Sequence, residues 1–184
     1  RALGETAEEP SLLAGLIVDG DGQRMTPTHA VKKGRRYRYY VSTQLISGTR
    51  TDHAKGWRIP AGDIEGLVLD RLRAFLASDR DLGEALSRFA LDASAVRSAM
   101  MKASQLVEGW ANLPPIKLRE LVRTVVETIT VDDESVVASL KLAEVATMLL
   151  GEKCNIPEAR QPGAIELTID AKLRRAGKGI RLVV

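Results

Sequence analysis

The residues best suited to chemistry in this chain are cations interleaved with phenols. Between Gly22 and Thr51 stand seven basic residues (Arg24, Lys32, Lys33, Arg35, Arg36, Arg38 and Arg50) and no Asp or Glu. All three tyrosines, Tyr37, Tyr39 and Tyr40, lie among them. Guanidinium and ammonium groups neutralise phosphates, tyrosine rings add rigid contact area, and phenol hydroxyls bond phosphate oxygens. The 184-residue chain is only +3, so everything outside this stretch carries 20 basic against 24 acidic residues. Basicity that is local and aromatic-rich is the pattern of a polyanion-binding surface. The plain alternative is a solvated hairpin whose Arg and Tyr side chains stack on one another. A second acid-free run, with Lys172, Arg174, Arg175, Lys178 and Arg181, is a further candidate phosphate contact or an ordinary solvated turn.

Other constellations carry less. His29 and His53 are the only histidines, and although Asp19, Asp21 and Asp52 lie nearby in sequence, the spacing matches no metal site. Ser42, His29 and Asp52 can be written down as a triad, yet no nucleophile elbow supports it. No phosphate-cradling glycine loop occurs, and Asp132-Asp133 reads as a turn. The expectation is therefore no catalytic residue, no metal and no cofactor. Cys154 is the single cysteine. It excludes internal disulfides and Cys-based zinc sites, fits a reducing cytoplasm, and reads as a small packed hydrophobe. Trp57 and Trp110 read as packing residues, with a role at the DNA edge as the alternative for Trp57, which sits beside Lys55 and Arg58.

The elements that must position the basic residues follow from patterning. Leu16-Ile17-Val18 is a short strand ended by the turn Asp19-Gly20-Asp21-Gly22. A second strand is expected over Arg24–Val31, a turn at Lys32-Lys33-Gly34, and a third strand over Arg35–Ser42. Alternation puts Arg35, Tyr37, Tyr39 and Val41 on one face and Arg36, Arg38 and Tyr40 on the other. With charge on both faces, this hairpin cannot be fully buried.

The middle of the chain is helical. Ile59-Pro60 leads into a stripe of Ile64, Leu67, Val68, Leu72, Phe75 and Leu76, continued by Leu82, Ala85, Leu86 and Phe89. Asp92 is a good N-cap for a further helix, with the stripe Val96, Ala99, Met100, Ala103, Leu106, Val107 and Trp110. Pro114-Pro115 suit the first turn of the next helix, whose buried face is Leu118, Leu121, Val122 and Val125. Strands over Glu127–Val131 and Ser135–Leu140 flank a turn. A helix over Leu142–Leu150 ends at Gly151. Ile165, Leu167 and Ile169 alternate as a half-buried strand, and a basic turn leads to Ile180, Leu182 and Val184.

The expected fold class is α+β: a small antiparallel β-ribbon, a helical hairpin or short coiled coil, and a second small antiparallel sheet. The expected division is 1–56, 57–126 and 127–184. No apolar run is long enough to span a bilayer. The opening residues have no signal-peptide pattern and no initiator Met, as expected of a piece of a longer chain.

The stretch from Leu12 to Ser42 is similar to the ribbon region of large serine recombinases. Leu12-Leu13-Ala14-Gly15-Leu16-Ile17 resembles the ribbon's opening. Gly22-Gln23-Arg24-Met25 resembles its Gly-x-x-Met, and Lys33-Gly34-Arg35-Arg36-Tyr37-Arg38-Tyr39-Tyr40 its second strand. The family's first cysteine pair would fall in Val18-Asp19-Gly20-Asp21 and the second near Ser42. Neither is present, so the resemblance is to a zinc ribbon without zinc. It implies a DNA-binding, subunit-contacting region whose parent cleaves and rejoins DNA with a serine in another domain. The implied partners are double-stranded DNA and other recombinase subunits, in the cytoplasm of a bacterium or from a mobile element. The implied DNA-facing residues are Arg24, Lys32, Lys33, Arg35, Arg36, Tyr37, Arg38, Tyr39, Tyr40, Lys172, Arg174 and Arg175. The alternative is a helical dimerisation module without DNA contact.

Overall fold

In the computed structural model a two-residue turn closes the basic hairpin. Lys33 (φ 51°) and Gly34 (φ 72°) both have positive φ, the geometry whose twist matches that of the flanking strands. The structure describes residues 11–47, 57–151, 163–176 and 179–183. The ribbon strands are β2 (Met25–Lys32) and β3 (Arg35–Ser42), paired antiparallel from Met25 opposite Ser42 to Lys32 opposite Arg35.

β1 (Ile17–Asp19) precedes the ribbon, and a short helix α1 (Thr43–Ser47) follows it. Then come β4 (Arg58–Pro60), α2 (Ala61–Ala77), α3 (Asp79–Ser87), α4 (Ala93–Glu108), a 3-10 turn at Trp110–Asn112, and α5 (Pro115–Val125). The chain continues through β5 (Val126–Val131), β6 (Ser135–Leu140), α6 (Leu142–Leu150), β7 (Ile165–Asp170), β8 (Lys172–Ala176) and β9 (Gly179–Val183). The fold is α+β.

Two strand pairings were not anticipated from sequence. Arg58–Pro60, read as the lead-in to a helix, adds to β3 as a third antiparallel strand, with Tyr40 opposite Ile59 and Val41 opposite Arg58. β1 pairs with β5 in parallel, Ile17 opposite Ile129. The second sheet therefore runs β1-β5-β6-β7, antiparallel except at that edge. Three-residue strands carry too little alternation to be recognised. A partner more than a hundred residues away leaves no local trace.

Helix boundaries follow the expected capping chemistry. Asp92 Oδ1 accepts from Ala95 N–H at 2.8 Å, and Ser78 Oγ accepts from Asp81 N–H at 3.1 Å. Each cap satisfies an orphan donor and contributes about 1 kcal/mol. Gly151 ends α6 with φ 72°. One hydrophobic core joins the elements: Ile17 and Ile129 from the second sheet, Tyr40 and Ile59 from the ribbon sheet, Phe75 and Leu72 from α2. α2 touches β3, β7, α3, α4 and β9, so it is the element on which the ribbon stands. No described helix is long and apolar enough to cross a membrane.

Candidate nucleic-acid interface

Directly opposed residues of an antiparallel pair share a face. Lys32, Arg35, Tyr37, Thr28, Tyr39, Thr26 and Val41 thus lie on one side of the ribbon, and β4 adds Arg58 and Pro60 to it. Two cation–ring stacks order this side. The Arg35 guanidinium lies 5.8 Å from the centroid of Tyr37, and that of Arg58 lies 4.2 Å from the centroid of Tyr39. Such stacks are worth about 0.5–1 kcal/mol at exposed sites. They also leave guanidinium edges able to donate to an anion. Beneath this face β2, β3 and β4 contain no carboxylate at all.

The other side changes character along its length. Val31 (67% exposed), Arg36 and His29 are exposed near the tip. Towards the root, Tyr40, Met25 and Ser42 are buried. The Tyr40 hydroxyl donates to Glu65 Oε1 at 2.7 Å and accepts from Leu13 N–H at 2.9 Å. Glu65 Oε1 also accepts from Leu12 N–H at 3.0 Å, and Oε2 from Arg38 at 3.2 Å. Burial, then the hydrogen bond and charge of Glu65, push the Tyr40 phenol well above its usual range, against a lowering by Leu13 N–H and Arg38. A buried carboxylate costs several kcal/mol unless charge and hydrogen bonds compensate, and here both do.

The turn before the ribbon and the end of β3 are closed by hydrogen bonds. Asp19 N–H donates to Gln23 O at 2.9 Å, Gly22 N–H to Asp19 O at 2.8 Å, and Gln23 N–H to Asp19 Oδ1 at 2.9 Å. Gly22 takes φ 76°. At the far end, Ser42 N–H donates to Trp57 O at 2.9 Å, while Ser42 Oγ accepts from Trp57 N–H at 3.0 Å. Among the described residues, no group of three or more His, Cys, Asp or Glu could hold a metal ion.

The predicted site residues therefore separate. Arg24, Lys32, Lys33, Arg35, Arg36 and Tyr37 are exposed, and Arg38 and Tyr39 half-buried. Tyr40, expected on the DNA-facing surface, is instead fully buried at the ribbon's root. Lys172, Arg174 and Arg175 lie on β8, whose side chains fall outside the described residues, as do Arg50, Asp52, His53 and Cys154. The backbone of β9, the partner of β8, lies against β4. Ser42 is bound to Trp57, while His29 sits opposite Arg38, four residues along β3 from Ser42. Two residues were missed. Arg58 left no local signal, because a three-residue strand is too short to show alternation. Glu65 could have been found as a carboxylate directly beside the apolar stripe at Ile64 and Val68.

No family model matches the chain, and no curated protein does. Among solved structures the chain is similar to one described as "Crystal Structure of a LSR-DNA Complex", with 17% identity and a TM-score of 0.43. The likeness covers 73% of this chain and 56% of that one, so the chain spans little more than half of its length.

Proposed function

We propose that this chain is the DNA-binding and subunit-contact region of a site-specific serine recombinase, non-catalytic by itself. The observation that carries the reading is the carboxylate-free three-stranded face on which Lys32, Arg35, Tyr37, Tyr39 and Arg58 line up. The resemblance of Leu12–Ser42 to the recombinase ribbon supports it. Lys32, Lys33, Arg35, Arg36, Arg24 and Arg58 neutralise phosphates, while Tyr37 and Tyr39 supply flat contact area. β8–β9 adds Lys172, Arg174 and Arg175 as a second contact beside β4. The family's cysteine positions are filled by the Asp19 turn and the Ser42–Trp57 clasp, so the ribbon is a zinc ribbon closed without metal. The catalytic serine belongs to another domain of the parent, and the partners are double-stranded DNA and further recombinase subunits.

Fluorescence anisotropy of a labelled duplex across salt tests the reading. Each phosphate neutralised adds roughly 0.9 to the slope of log affinity against log salt, so a steep slope is expected. No binding to any duplex at low salt, the cognate site included, would remove DNA from the account.

A second reading, a helical dimerisation module, is favoured by one feature. A groove of about 370 Å³ between α4, α5 and α6 is lined by Leu106, Leu113, Leu121 and Met148, with exposed Met101 and Ile116 on the same helices. Sedimentation at several concentrations, with and without DNA, separates the readings. Dimerisation without DNA binding selects the second.

A further inference from the structure

The direction in which the basic ribbon points is decided by a residue outside it. Glu65 lies on the second turn of α2, and its carboxylate gathers groups from two other segments. Oε1 accepts from the Tyr40 hydroxyl and Leu12 N–H, and Oε2 accepts from Arg38. Arg38 and Tyr40 are two residues apart on β3, hence on the same face. One carboxylate therefore holds two successive rungs of that face. A single contact would fix only the position of β3 over α2. Two rungs fix its twist as well, and so the heading of the tip some five residues further on. The partnership also ties Arg38 Nη2 to Glu65 at 3.2 Å.

We propose that Glu65 is the positioning residue of the DNA-facing ribbon. It touches no DNA. Through Tyr40 and Arg38 it holds β2–β3 in the orientation that presents Lys32, Arg35 and Tyr37 to a duplex, as a bound metal would in a cysteine-bearing ribbon. The inference rests on the DNA-binding reading for its purpose, but not for its geometry.

The test uses the 184-residue chain and the variants Glu65→Ala, Glu65→Gln and Tyr40→Phe, with two readouts. The first is amide hydrogen exchange without DNA. Glu65→Ala should speed exchange across Met25–Ser42 about tenfold or more while leaving α4 to α6 unchanged. The second is duplex affinity across salt. Glu65→Ala should weaken binding by about tenfold through lost preorganisation. Glu65→Gln keeps an acceptor for Tyr40 but loses its charged hold on Arg38, so binding should weaken by an intermediate amount, less than in Glu65→Ala. A merely structural role would lower stability without moving the affinity of the folded chain. Tyr40→Phe should loosen the ribbon less than Glu65→Ala does. If Glu65→Ala does not fold, the other two variants decide. Unchanged ribbon exchange in both, or wild-type duplex affinity in a Glu65→Gln chain whose ribbon exchange has sped up, overturns the proposal. If the wild-type chain binds no duplex, only the DNA reading falls. Exchange then decides alone whether Glu65 holds the ribbon.

Discussion

The tip and the root of the ribbon are one strand pair with opposite physics. From Val31 to Tyr37 the residues are exposed and mostly cationic, and Arg35 stacks on Tyr37. From Tyr40 to Ser42 the same strand is buried, and its polar atoms are committed to Glu65, Leu13 and Trp57. The change takes place over two residues, Arg38 and Tyr39, each half-buried. An isolated two-stranded hairpin is marginal in water. This one has a third strand, β4, and a helix, α2, at its root, and neither at its tip. The contrast teaches that stability and binding are separable along this strand. The root determines whether the arm exists and where it points, and the tip determines what it holds.

The largest effect expected to follow from this contrast is at the root. Tyr40→Ala removes a fully buried ring and leaves Glu65 with a charged partner but no phenol. It should cost about 3–5 kcal/mol of stability, measured by chemical denaturation. A cost below about 1 kcal/mol would mean that the root is not an anchor, and the comparison would break.

The tip should behave in the opposite way. Replacing Arg35 and Arg36 together by Ala should leave stability within about 0.5 kcal/mol, as for other surface changes. The salt slope of duplex binding should flatten by about 1.8 if both touch phosphate, with affinity falling alike on all sequences. A change in sequence discrimination instead would assign one of them to base edges. A large loss of stability would erase the distinction between tip and root.

Much of this contrast was legible in the sequence, and the remainder was hidden for definite reasons. The ribbon strands, the turn expected at Lys32-Lys33-Gly34, the Asp92 cap and the stop at Gly151 are local signals, and each appears where its residues predict, save that Lys32 still belongs to β2. The basic face was legible as composition, because charge and ring type are written in the residues themselves. Its third strand was not, since Arg58-Ile59-Pro60 is too short to show a period and reads equally well as a helix entry. The parallel β1–β5 pair was invisible because register between distant segments is decided by packing. Tyr40 was misplaced for a related reason. Alternation put it on the face opposite Tyr39, but could not say that α2 covers that face only at the root. Nor could it single out Glu65, whose meaning depends on being brought beside Tyr40.

The smallest and most selective prediction concerns that pair. In the folded chain the Tyr40 phenol holds its proton above the usual range, chiefly through burial and then through the hydrogen bond and charge of Glu65. In the unfolded chain it releases it near the ordinary value of 10.0. A group whose pKa is raised on folding adds stability that is fully present below the unfolded pKa and is lost progressively as pH rises from there through the folded pKa. One proton changes stability by at most about 1.4 kcal/mol per pH unit. Stability should therefore fall above about pH 10, and Tyr40→Phe should remove that part of the fall. Lysines also titrate there, so the quantity to measure is the difference between the two proteins in denaturant unfolding at pH 8 and above. At pH 8 the variant should already be weaker by about 1–3 kcal/mol, because Glu65 and Leu13 lose their phenol partner. The gap should then narrow as pH rises. A gap that stays constant through pH 11 would mean that Tyr40 ionises as easily folded as unfolded, and that the root is open to water like the tip.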